Sequence, residues 1–133
     1  MTSPGDVVTL SVPAGSEYVG LVRTVAAGVA ARLDLDLDHV EDMRLAVSEA
    51  CTVLLGLAGH AGRLEVTLRV AEGGVDVVVA RATTASSVLA DDSFAWTVLE
   101  ALADEVASTV TGGVASIRLR FGAAEETAGT GSA

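Results

Sequence analysis

Apolar and polar residues alternate along Val7–Val12 (VVTLSV), a β-branched run that predicts a strand. Pro13-Ala14-Gly15 ends it. Ser16 is placed to cap a helix in which Val19, Val22, Ala26 and Val29 recur at helical spacing. The run Asp34-Leu35-Asp36-Leu37-Asp38 reads as a loop. Asp38 and Glu41 then have capping-box spacing, and Val40, Met43, Val47, Ala50 and Leu54 repeat on one face of a second helix that ends near 56–62. Alternation returns in Leu64–Val70 and Val75–Ala80, and Gly73-Gly74 between them predicts a hairpin. The connector Arg81–Asp92 has no glycine. A third helix is predicted from about Ser93 to Ala107, with Phe94, Val98, Ala101, Leu102 and Val106 on its apolar face. Thr111-Gly112-Gly113 turns the chain into a last strand, where Ile117, Leu119 and Phe121 alternate with Arg118 and Arg120.

The order strand, helix, helix, strand, strand, helix, strand predicts a two-layer α+β sandwich. Three helices would cover one face of a mixed, mostly antiparallel sheet. Residues 7–122 form one unit, and 1–6 and 123–133, rich in Gly, Ala, Ser, Thr and Glu, read as disordered tails.

Composition narrows the function. Half of the 133 residues are apolar, yet no apolar run reaches the ~18 residues of a membrane span. The first ten residues carry no basic group, unlike a secretory signal, so the expected setting is the cytoplasm. The single cysteine, Cys51, falls in the helical apolar pattern and reads as a packing residue. His39 and His60 have no companions at metal-ligand spacing, and the acidic loop at 34–38 lacks the closing Glu of a calcium loop, so no metal site is expected. Eighteen acidic against eight basic residues give a net charge of −10. That disfavours nucleic acid as a direct partner and suits a protein whose own working surface is basic.

The chemistry concentrates in the second helix, Glu41-Asp42-Met43-Arg44-Leu45-Ala46-Val47-Ser48-Glu49-Ala50-Cys51-Thr52. With Thr97–Val106, which looks like the helix behind the family's second glycine box, and Arg23 on the first helix, this stretch resembles the bacterial anti-sigma factors of the RsbW/SpoIIAB type. These are switch kinases on the ATP-binding fold shared with histidine kinases and Hsp90 (the Bergerat or GHKL fold). The resemblance covers Val7 to Phe121. Ser93-Phe94-Ala95-Trp96 is similar to the Ser-Phe-x-Trp element that replaces a glycine box in the short actinobacterial branch.

The resemblance implies roles residue by residue. Glu49 matches the family's base toward a serine hydroxyl, but Val53 stands where an Asn should hold Mg²⁺, and an isopropyl group cannot ligate a hard cation. The Asp-x-Gly-x-Gly that reads adenine and lets backbone approach the nucleotide is here Arg81-Ala82-Thr83-Thr84-Ala85. Ser93-Phe94-Ala95 replaces the second glycine box. Losing a buried carboxylate–adenine hydrogen bond costs ~1.5–3 kcal/mol. Losing the glycines blocks positive φ and close backbone contact. The expected cofactor state is therefore none, or weak Mg-ATP binding at most.

The resemblance also implies the partners. One is an RNA polymerase sigma factor, sequestered through a face that includes Glu17, Arg23, Asp34 and Asp36. Another is a STAS-type anti-anti-sigma antagonist, and the family's homodimerisation adds the possibility of a second copy meeting Val7–Val12. Trp96 reads as a core residue or as a plug in the vacated pocket, and Arg44 as a surface partner of Glu41 or Asp42. Two alternatives stand beside this reading: an active serine/threonine kinase acting on the antagonist, and a sensor or scaffold that binds another ligand in the old pocket.

Overall fold

A computed structural model describes residues 5–33, 35–59, 62–88 and 93–122. Strand β1 (Val7–Pro13) leads through a 3-10 turn (Ser16–Tyr18) into helices α1 (Val19–Ala31) and α2 (Leu37–Leu55). Strands β2 (Arg63–Ala71) and β3 (Gly74–Ala82), helix α3 (Phe94–Leu102) and strands β4 (Glu105–Thr111) and β5 (Val114–Gly122) follow. The sheet order is β1-β2-β3-β5-β4, and every neighbouring pair is antiparallel.

The period-two pattern sets the inner face. Leu64, Val66, Leu68 and Val70 of β2, Val75, Val77 and Val79 of β3, and Ala115, Ile117, Leu119 and Phe121 of β5 are buried. Over them lie Val22, Ala26 and Val29 of α1 and Met43, Val47, Ala50 and Leu54 of α2, the residues that helical spacing selected. Cys51 is buried there too, and burial pushes its thiol up to about 12, which removes thiolate chemistry near neutral pH. The outer face carries a cross-strand row of alternating charge, Arg69, Asp76, Arg120 and Glu105. Arg120 donates to both Asp76 carboxylate oxygens at 3.1 and 3.2 Å, and Arg118 stands 3.6 Å away.

Four expectations change. The sheet has a fifth strand and is antiparallel throughout rather than mixed. α3 stops at Leu102, where Ala103 turns extended (φ −108°, ψ 153°), and Val106 lies on β4 instead of a helix face. Asp104 secures that start, its N–H donating to the Arg120 carbonyl and its carboxylate accepting from Gly122 N–H, both at 2.8 Å. Gly122 needs its glycine: φ is +100°, and a Cβ would run into the Gly73 carbonyl.

Helix starts also differ. Ser16 sits in the 3-10 turn and makes no capping bond. Asp36, not Asp38, caps α2, accepting from His39 N–H at 2.9 Å. Finally, Phe94 is 83 % exposed, Ala101 is exposed and Val98 and Leu102 are half-buried, so the apolar face assigned to the third helix is not its buried one; Leu99, outside that face, is the helix's fully buried residue. The first four residues, the span 89–92 and the C-terminal stretch from 123 lie outside the described residues, as do Asp34 and His60.

Candidate functional site

Glu49 and Val53 are one turn apart on α2, and the structure separates their environments. Val53 packs against the core. Glu49 opens into a groove of about 390 Å³ between α2 and α3, lined by Leu45, Ser48, Glu49, Val98, Ala101 and Leu102. The groove walls are mostly hydrocarbon.

Arg81 continues the inward alternation of Val75, Val77 and Val79, and its side chain therefore enters the layer between sheet and helices. It is buried, and one terminal nitrogen, Nη1, donates to the carbonyls of Leu54 (2.9 Å), Leu55 (3.2 Å) and Leu57 (3.1 Å). The last carbonyls of a helix lack intrahelical partners and carry the negative end of its dipole. A guanidinium there satisfies both needs. Thr83 extends the tie: its hydroxyl donates to the Ala58 carbonyl and accepts from Ala85 N–H at 3.0 Å, while its own N–H bonds Gly113 O at 2.9 Å. Gly59, at φ +146°, passes so close that a Cβ would lie 3.1 Å from Thr83 Cα. Together Arg81, Thr83 and Ala85 fasten the α2 C-terminus and its loop to the end of β3.

At the start of α3, Ser93 is the N-cap, its hydroxyl accepting from Trp96 N–H at 3.1 Å. Ala95 and Trp96 are half-buried. The Ser-Phe-x-Trp element thus serves as a helix start, with its Phe turned to solvent and its Trp half-buried.

Among the described residues, the predicted partner residues lie on the 3-10 turn, on α1 and at the start of α2. Glu17 is exposed in the 3-10 turn. Arg23 lies back along α1 over Gly20, where a Cβ would stand 3.7 Å from its Nη2, and it has no ion pair or hydrogen bond among the described residues. Asp36 binds His39 at both its backbone N–H and its ring Nδ1 (2.8 Å). Arg44 pairs with Glu41 at 2.7 Å, the surface pairing its spacing suggested.

The Asp36–His39 pair titrates. The His39 backbone N–H, and then its ring, hold the Asp36 carboxyl below the ordinary 3.8. The Asp36 hydrogen bond holds His39 above the ordinary 6.5 against a desolvation effect in the other direction, with Asp104 and Asp42 adding to the rise. A raised cation contributes its stability fully below the unfolded value and loses it as pH climbs through the folded one. Asp36 acts at the other limit, its contribution present above pH 3.8 and lost in acid. NMR titration should place the His39 midpoint above 6.5, and Asp36→Ala should return it toward that value. An unmoved midpoint would discount the pairing.

Sequence reasoning passed over the capping role of Arg81. The signal was present: three inward valines at period two point to position 81 as the next inward site. Ending the strand at Ala80 hid it.

Comparisons with known proteins add a family. Residues 12–121 match the histidine kinase-like ATPase domain. The serine-protein kinase RsbW of Bacillus pumilus is 30% identical across 91% of this chain and 89% of its own length. The anti-sigma-F factor RsbW of Mycobacterium tuberculosis is 39% identical over 99 residues, 74% of this chain and 59% of that protein. The serine-protein kinase RsbW of Bacillus velezensis is 39% identical over 83 residues, 60% of this chain, which spans about half (52%) of that relative's length. A crystal structure of RsbU and RsbW domains from Mycobacterium tuberculosis superposes with a TM-score of 0.69 at 19% identity, over 89% of this chain and 32% of that one. That likeness concerns the fold.

Proposed function

Because the chain belongs to the histidine kinase-like ATPase domain family and to its RsbW branch, we propose that it is an anti-sigma factor whose nucleotide site has degenerated. It binds an RNA polymerase sigma factor stoichiometrically, in the cytoplasm, and a STAS-type anti-anti-sigma protein competes for an overlapping surface. Release follows from that competition or from phosphorylation of the antagonist by another kinase. Neither nucleic acid nor membrane is a partner in this reading; no helix among the described residues is long and apolar enough to cross a bilayer.

One observation carries the degenerate-site reading. Where the family places an acid and glycines for adenine, Arg81 is buried with its guanidinium on three helix-end carbonyls. The group that would have to accept from a base is instead a donor already engaged in structure. Val53 offers no oxygen to Mg²⁺, and no group of three or more His, Cys, Asp or Glu among the described residues could hold a metal ion. The donor set does not suit Mg-ATP. A combined loss of only ~3 kcal/mol weakens binding more than a hundredfold. Isothermal titration with Mg-ATP should give no saturable heat in the micromolar range, and a micromolar Kd would overturn the reading.

Glu49 keeps the competing reading specific. An active serine kinase would transfer phosphate to the antagonist, and Glu49→Ala would abolish the transfer. The degenerate reading expects no transfer from either protein.

The proposed sigma-binding face comprises Glu17, Arg23 and Asp36, with Asp34 between the last two in sequence. Arg23→Glu reverses a charge that no described residue neutralises. It should weaken the sigma complex at least about tenfold, while the melting temperature stays within about 2 °C. Normal binding by the variant would place the contact elsewhere. A homodimer meeting at the β1 edge belongs to the same proposal, since β1 has a neighbour on one side only.

A further inference from the structure

We propose that the groove between α2 and α3 is a second docking site, shaped for a basic amphipathic helix of a partner protein. It is separate from the α1 face and stands whether or not a sigma factor is the partner there.

Helix α3 is more apolar than its packing requires. Seven of its nine residues are apolar, yet only Leu99 is fully buried. The surplus faces outward: Phe94 is 83 % exposed, and Leu45 across the groove is 48 % exposed. Val98, Ala101 and Leu102 complete the walls with Leu45. Two neighbouring helices with hydrocarbon between them leave a trough that takes the ridge of a third helix. A volume of about 390 Å³ is enough for a few anchoring side chains of such a helix.

Charge decides among occupants. Glu49 lies within the groove and has no ion pair or hydrogen bond among the described residues. Asp104, just past α3, and Asp42 both act on His39 near the α2 N-terminus, so acids also stand at that end of the helix pair. The arginines are elsewhere. Arg63, Arg69, Arg118 and Arg120 lie on the strands β2 and β5, Arg81 is buried, Arg44 is paired with Glu41, and Arg23 and Arg32 belong to α1 and its end. An apolar trough with an unpaired carboxylate, in a chain of net charge −10, repels a polyphosphate and attracts a cationic helix. A second copy of this chain has no helix with clustered basic residues to offer, its helices carrying Arg23 and Arg44 alone. The occupant is therefore a helix from another protein, apolar on one side and basic beside it.

Trp96, the one tryptophan, sits half-buried in α3, two residues before the groove residue Val98. The test titrates the full chain with a synthetic Leu/Ala/Arg amphipathic helix of about 18 residues, five turns, lacking aromatic residues. Trp96 emission should change saturably below roughly 100 μM peptide, with an apparent affinity that falls as salt rises. Replacing the peptide's Arg by Glu should remove binding. Leu45→Ser and Glu49→Lys should each weaken it at least about tenfold, and Arg23→Glu should leave it unchanged, which keeps this site distinct from the α1 face. If Leu45→Ser lowers the melting temperature, Ala101→Lys, at an exposed groove position, takes its place. No emission change, equal binding of the Glu peptide, wild-type affinity in both groove variants, or displacement of the peptide by Mg-ATP would each overturn the proposal.

Discussion

Arg81→Ala should lower the melting temperature by roughly 10 °C, an unusual loss for removing a positive charge from a strand end. The side chain is 7 % exposed and donates to the Leu54, Leu55 and Leu57 carbonyls, of which that of Leu54 also accepts from Leu57 N–H at 3.2 Å. A hydrogen bond from a charged donor contributes ~1.5–3 kcal/mol, and carbonyls left buried cost more than those that reach water. Leu54 is fully buried, whereas Leu55 and Leu57 are half-buried and can be rehydrated in part. A net loss of about 3 kcal/mol follows. In a domain of this size that corresponds to roughly 10 °C. Arg81→Met keeps most of the stem volume and should lose nearly as much, because the hydrogen bonds and not the methylenes carry the effect. Thermal melts of the three proteins decide the matter. If Met restores wild-type stability, packing dominates and the helix-end account is wrong. The measurement also bears on the proposed function, since it asks whether Arg81 has a structural duty.

Phe121→Ala should cost still more, about 4 kcal/mol. Phe121 is the largest of the fully buried side chains and is 1 % exposed. It sits opposite Val75 in the β3–β5 register, directly before Gly122, whose backbone approaches Gly73 too closely for any Cβ. The neighbouring backbone is thus held in place and has little freedom to collapse into the space left behind. Such sites fall toward the costly end of the aromatic-to-alanine range, ~3–5 kcal/mol. Urea denaturation should show the midpoint displaced with an unchanged m-value. A loss below about 1.5 kcal/mol would mean that the core refills the cavity, and the rigidity assigned to the glycine pair would not hold.

How much of this was legible beforehand varies by element. The inner faces of β2, β3 and β5, and those of α1 and α2, followed from period-two and period-3.6 spacing, because burial of one face is what such spacing encodes. The hairpin at Gly73 was legible because few residues but glycine adopt φ +75° without strain. β4 was not. Ala101, Leu102 and Val106 keep helical spacing into EVASTVT, and nothing local says that the helix stops. The stop is enforced by Asp104, whose partners Arg120 and Gly122 lie 16 and 18 residues away. The α2 cap was misplaced by two residues for a simpler reason: Asp36 and Asp38 both suit a capping role, and only backbone geometry chooses between them.

The candidate site divides in the same way. The lack of a metal ligand at Val53 and of glycines at Thr83 and Ala85 could be stated from residue types, because a hydrocarbon has no lone pair and a Cβ occupies space in any fold. What those positions do instead required coordinates. Arg81 meets carbonyls 24 to 27 residues away, and Phe94 faces water although its neighbours in sequence suggested a core. Local composition determined which ligand atoms these positions cannot supply, since that depends on atoms each residue carries with it. What those side chains bond instead, and where apolar surface remains open, was decided by tertiary structure, since both depend on distances between segments that sequence spacing does not specify.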